Sequence, residues 1–117
     1  MKGKQTIVFN FDGVIHSYTS GWKGIGMIPD PPVEGIRETI QALRKKYRLL
    51  VVSSRCREDK GRVAIKKWLR DHEIEVDGIT LEKEPAVVYV DDRAVTFDGN
   101  AAQLEKRIRE FQPWHKR

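Results

Sequence analysis

Apolar residues along this chain fall into short runs separated by amphipathic stretches. TIVFN (6–10) and RLLVVSS (48–54) are rich in β-branched and aromatic residues and too short for helices, so both predict buried strands. A short strand near GITL and a firmer one at AVVYV complete the set. Between the runs the spacing changes to that of a helix. EGIRETIQALRKKY places Ile36, Ile40, Leu43 and Tyr47 on one stripe, with acids early and bases late as the helix dipole favours. EDKGRVAIKKWLRDHE does the same with Val63, Ile65, Trp68 and Leu69 on or near one face, Glu58 and Asp59 reading as first-turn acids. A last helix is predicted from about Asn100 to Phe111, with Leu104, Ile108 and Phe111 in line. Residues 14–32 hold six glycines and prolines and predict a long loop or flap.

Strands that are apolar almost throughout and alternate with helices imply a mostly parallel sheet covered on both faces, a three-layer α/β/α fold. The expected organisation is one domain over 1–112, with the flap at 14–32, and a frayed basic tail at 113–117 that carries Trp114 and His115.

In such sheets ligands sit beyond the carboxyl ends of the strands, and polar clusters fall there three times. Asn10 and Asp12 follow the first strand, Ser53, Ser54 and Arg55 the second, and Asp91 and Asp92 the last; Lys83 lies on the loop entering that strand. Adjacent carboxylates repel unless a cation or base relieves them, and hard oxygen ligands in ones and twos suit Mg²⁺. A solvated turn or helix cap is the plainer reading of Asp91 and Asp92 taken alone.

Taken in order, FNFDGVI, LLVVSSR, EKEPA and VYVDDRA resemble the four motifs of the haloacid dehalogenase (HAD) superfamily of phosphotransferases, and they span residues 6–95. The resemblance implies a Rossmann-like fold and a Mg²⁺-dependent phosphomonoester hydrolase working through an aspartyl-phosphate. Position 10 would supply the nucleophile, Asp12 the general acid and base, and Ser53 a hydroxyl for the phosphoryl oxygens. Lys83 would set positive charge against the phosphate, although Lys66 and Lys67 compete for that role. Asn10, Asp12, Asp91 and Asp92 would form the metal site, with Asp92 favoured for direct contact. Gly13, Ser54 and Arg55 stand as substrate-binding candidates, Arg55 equally as a surface ion pair.

The departure is Asn10, an amide where the family carries a nucleophilic carboxylate. An amide oxygen is a poor nucleophile, so the chain as written should hydrolyse poorly or not at all. Two explanations stand, an aspartate replaced in a working phosphatase or a natural pseudoenzyme that binds phosphate or nucleic acid.

Neither usual insertion point has room for a cap domain. An open site suits a bulky substrate or a polymer end, unless a neighbouring subunit in a homo-oligomer closes it. YVDDRA is similar to the phosphatase domains of polynucleotide kinases, which makes a nucleotide or nucleic-acid 3′-phosphate one expected substrate and a small phosphomonoester the other. A net charge of +5 favours anionic ligands, although RKKYR at 44–48 is most simply a solvated helix end. His16, Tyr18 and Trp22 on the flap either meet the leaving group or pack the flap down. Arg93 is expected to pair with an acid.

Cys56 and Arg62 satisfy Cys-x5-Arg, the spacing of thiol phosphatases, but Glu58 and Asp59 would set negative charge beside the anion. The single cysteine also excludes an internal disulfide. With no signal-peptide pattern and no long apolar run, the expectation is a cytoplasmic protein without a membrane partner.

Overall fold

The computed structural model describes residues 3–116. Four strands form one all-parallel sheet: β1 (Gln5–Asn10), β2 (Tyr47–Val52), β3 (Gly78–Thr80) and β4 (Val88–Val90), in spatial order β3-β2-β1-β4. The long pair sets the register, Ile7 opposite Leu49 and Asn10 opposite Val52. Helices α1 (Ile36–Leu43) and α2 (Asp59–Asp71) make the crossovers from β1 to β2 and from β2 to β3. The chain is therefore of the α/β class.

Alternation along the strands sends Ile7, Phe9, Leu49 and Val51 to one face, where they pack with Ile40 of α1 and Ile65, Trp68 and Leu69 of α2. Side chains of this kind contribute roughly 1.5–3 kcal/mol each when fully buried. This face holds the main hydrophobic cluster, and Val8 and Leu50 are buried on the other.

Four expectations need correction, the last of them in the tail. Val63 is exposed, because its place on α2 lies off the stripe defined by Ile65, Trp68 and Leu69. The strand at AVVYV is no firmer than its neighbour: β4 has three residues, and as an edge strand it leaves Val88 and Tyr89 exposed. The last helix is a 3-10 turn (Ala101–Gln103) followed by α3 (Leu104–Arg109), and neither carries a buried residue. The expected second helical layer is thus not packed on the sheet, and Ile108 stays 59% exposed.

The physical reason for that lies in the tail. Pro113–Lys116 is not frayed: Trp114 and His115 bond to Gly13 and Asp92. The chain leaves the sheet at Asp92 and is tied back to the same residue at His115, so 93–114 forms a closed excursion. No helix among the described residues is long and apolar enough to cross a membrane.

Candidate phosphoryl site at the carboxyl ends of the strands

β1 ends at Asn10, and Phe11 donates its N–H to the carbonyl of Val52 at 3.2 Å, which extends the strand pairing one step. The chain then turns sharply through Asp12 and Gly13. Gly13 has φ 86°, and a Cβ built there would collide with the Asp92 carboxylate. Only glycine both adopts that backbone and admits the approach of Asp92. Both backbone groups of Gly13 are engaged: its N–H donates to the His16 carbonyl and its carbonyl accepts from the Trp114 indole.

Asn10 directs its amide nitrogen at two oxygens, the Asp12 carbonyl at 2.6 Å and Asp92 Oδ1 at 2.9 Å. Both partners are acceptors, so the NH₂ must face them and Oδ1 must face away. Asp92 is the acid of the pair that enters the site. Its other oxygen lies 2.8 Å from His115 Nε2, and both side chains are only 2% exposed. Asp91 turns the other way and accepts the backbone N–H of Arg93. Arg93 thus meets an acid through its backbone N–H rather than its guanidinium.

Asp12 is held from two sides. Arg55 Nε donates to Oδ2 at 2.9 Å and Nη2 to Oδ1 at 3.2 Å, while His16 Nδ1 lies 2.8 Å from Oδ1. The backbone N–H of Asp30 donates to His16 Nε2 at 3.1 Å, which makes that nitrogen an acceptor and places the ring proton on Nδ1. Burial alone would push the Asp12 carboxyl up. The His16 and Arg55 hydrogen bonds and the guanidinium charge outweigh it, and the pKa falls below the ordinary carboxylate value.

Arg55 departs from both readings given to it. It is fully buried rather than paired at the surface. Its Nη1 is taken by the flap, bonding to the carbonyls of Gly24, Ile25 and Met27, and the guanidinium stacks 4.7 Å from the Trp22 ring centroid. Most of its N–H donors are thus spent on Asp12 and the flap. Gly61 of α2 makes this placement possible, since a Cβ there would collide with the Arg55 carbonyl oxygen.

The flap residues divide. His16 is fully buried and packs with Phe11 and Trp68, so it supports the turn from beneath. Tyr18 meets the His115 ring edge-on at 5.6 Å. Trp22 is 47% exposed. Ser20 donates its N–H and hydroxyl to Asp30, and the Trp68 indole donates to the Asp30 carbonyl, pinning the flap's far end to α2.

Ser53 is buried at the end of β2 and its Oγ accepts the N–H of Arg55, a helix-cap bond that leaves the hydroxyl proton free to donate elsewhere. Ser54 is exposed. Lys83 is exposed too, its ammonium 4.5 Å over the Tyr89 ring, and it makes no bond to the Asn10–Asp12–Asp92 cluster. Burial pushes the Cys56 thiol up, and the Arg62 guanidinium lowers it only in part. Arg62 Nη1 donates to the Ile79 carbonyl, so no thiolate cradle forms.

A cleft of about 730 Å³ between α1 and α2 lies away from this chemistry. A second, about 650 Å³, opens beside Asp91 and Asp92 and is bounded by Thr96, Arg107 and Trp114 of the excursion.

As it stands, the oxygens of Asp12 and Asp92 are engaged by protein donors. Among the described residues no group of three His, Cys, Asp or Glu side chains is placed to hold an ion. The Asp12 carbonyl and Asp92 Oδ1 share the Asn10 amide. The sequence singles out His16 and His115 but not their partners: His16 fixes Asp12, and His115 covers Asp92. His16 sits four residues past Asp12, a spacing that signals contact only once the turn is known.

Compared with protein-family models, curated proteins and solved structures, the chain matches none.

Proposed function

We propose that this chain carries a phosphomonoester site of the haloacid dehalogenase type on a Rossmann-like α/β fold, disabled for turnover by Asn10. The observation that carries the reading is the convergence of Asn10, Asp12 and Asp92 beyond the carboxyl ends of β1 and β4, where a parallel sheet places its ligands.

In the Asn10→Asp form, an Oδ of residue 10 attacks phosphorus as the bond to the leaving oxygen breaks, giving an acyl-phosphate and either an alcohol, protonated by the Asp12 carboxyl, or an aryloxide that leaves without a proton. Water then attacks the same phosphorus, Asp12 accepts its proton, and the carboxylate of residue 10 is released with free phosphate. The three donors on Asp12 favour its ionised form. They therefore suit it to the second step better than to the first, so activated leaving groups that need no proton should react best. Ser53 is assigned to the phosphoryl oxygens by its place at the end of β2, and Lys83 by the order of the motifs alone. In that form the new carboxylate at residue 10 would face the one on Asp92, and such a pair calls for a cation; Mg²⁺ is the proposed requirement of that form.

The chain as written binds without turning over. The Asn10 amide supports this, since it satisfies both oxygens around it. The substrate class is a phosphomonoester whose bulk an uncapped site admits, a nucleotide or nucleic-acid 3′-phosphate included. The test is hydrolysis of an aryl phosphate, with Mg²⁺, by this chain beside Asn10→Asp. Turnover by the Asp form alone supports the reading; silence of both across several phosphoesters overturns it.

A further inference from the structure

Asp92 is a nearly sealed carboxylate with a donor on each oxygen. Asn10 Nδ2 lies 2.9 Å from Oδ1, and His115 Nε2 lies 2.8 Å from Oδ2. The same Asn10 nitrogen sits 2.6 Å from the Asp12 carbonyl, so one donor satisfies both oxygens. His115 comes from the far end of the chain, and its place is fixed independently by Trp114, whose indole bonds to the Gly13 carbonyl, and by Tyr18. A buried carboxylate without compensation is costly, and in this fold the compensation is internal.

We propose that this chain fills its own cation position: the Asn10 amide and the His115 imidazole stand in for a metal ion at Asp92, and the C-terminal segment Pro113–Lys116 competes with metal for that carboxylate. The inference rests on the reading above for which oxygens a cation would seek. It goes beyond that reading in making the folded chain metal-independent and in giving the tail a role at the site. Two consequences follow from the geometry. A carboxylate at residue 10 would remove the bridging donor and face two oxygens with a third, so that form folds best with a divalent cation present. A cation held at Asp92 draws carboxylate charge away from Oδ2 and weakens the His115 bond, so loading the site loosens the tail and frees the Trp114 indole N–H from the Gly13 carbonyl.

The test compares thermal unfolding in Mg²⁺ and in EDTA for the full chain, Asn10→Asp and His115→Ala, with hydrogen exchange of the Trp114 indole N–H followed by NMR. The parent should shift by less than about 1 °C on adding Mg²⁺. Asn10→Asp should rise by on the order of 5 °C or more once Mg²⁺ is well above its dissociation constant, and its Trp114 exchange should quicken at least about tenfold. Folding of Asn10→Asp only in Mg²⁺ is the same result in stronger form. If that variant folds under neither condition, His115→Ala decides, because freeing one oxygen should give a larger Mg²⁺ response than the parent shows, and an equal response overturns the proposal. So does a parent stabilised as much as Asn10→Asp, an Asn10→Asp protein indifferent to Mg²⁺, or a metal-stabilised protein whose Trp114 exchange is unchanged. Mg²⁺-dependent turnover by an Asn10→Asp protein whose Trp114 exchange is unchanged would sink this inference and leave the functional reading standing. Mg²⁺ stabilisation without turnover would do the reverse.

Discussion

Arg55 and Asp12 lie 43 positions apart and meet in a two-point ion pair, Nε to Oδ2 at 2.9 Å and Nη2 to Oδ1 at 3.2 Å. The arginine is fully buried, and the aspartate side chain is 19% exposed. The pair ties the turn after β1 to the end of β2, and through Nη1 it also holds the flap. Removing one partner of such a pair leaves the other charged and uncompensated. Arg55→Ala should therefore destabilise the chain by about 3–5 kcal/mol, read by urea unfolding. Arg55→Lys should recover only part of this, because an ammonium cannot reproduce the fork that reaches Asp12 and three flap carbonyls together. A loss below about 1 kcal/mol for the alanine variant would show that the pair is not formed in solution.

The same pair sets a pH dependence. The Asp12 pKa is lowered in the fold, so the carboxylate's stabilisation is complete above the unfolded-state value near 3.8 and disappears as pH falls through the lower folded value. Asp30 is lowered in the same sense, against its burial, by the Ser20 hydroxyl and backbone N–H. Stability should hold from neutral pH to about pH 5 and fall steeply below pH 4. Asp12→Asn, though less stable at neutral pH, should lose less over that acid range. Parallel acid profiles for the two proteins would contradict the assignment.

Gly61 tests the packing behind Arg55. A Cβ at this position would collide with the Arg55 carbonyl oxygen, a backbone atom that moves only if α2 or the Ser54–Arg57 turn shifts. Gly61→Ala should cost about 1–3 kcal/mol by overpacking, despite alanine's better helix propensity. A gain in thermal stability would contradict the close approach.

Cys56 gives a control on mechanism. Its thiol is pushed up by burial, which keeps it protonated and poorly nucleophilic at neutral pH. Cys56→Ser in the Asn10→Asp background should leave hydrolysis within about twofold, a difference worth ~0.4 kcal/mol of transition-state stabilisation. Loss of turnover with the fold intact, read by unfolding midpoint, would return the chemistry to the thiol.

What was legible in the sequence follows from which forces are local. β1 and β2 stand out because strands buried in a parallel sheet must be apolar on both faces, so the run itself is the signal. The meeting of Asn10, Asp12 and Asp92 was legible in outline, since strand ends in a parallel sheet share one edge. The partners of these residues were not. An arginine just after a strand reads the same whether it reaches solvent or turns inward, and only the flap carbonyls decide for Arg55. Trp114 and His115 follow a proline in a basic segment, which has the composition of a loose end. Their acceptors lie 101 and 23 residues away, a separation no local pattern encodes. Val63 misled because one apolar residue beside a helical stripe costs little when exposed.

The most direct test of the central claim is to trap a phosphoryl group on residue 10. The chain and its Asn10→Asp variant would be mixed with an aryl phosphate and Mg²⁺, acid-quenched within a single turnover, and mapped by peptide mass spectrometry. The account predicts phosphorylation of the peptide carrying residue 10 in the Asp form and none in the Asn form. Turnover by the Asp form with the label elsewhere, or a label on Cys56, would contradict it.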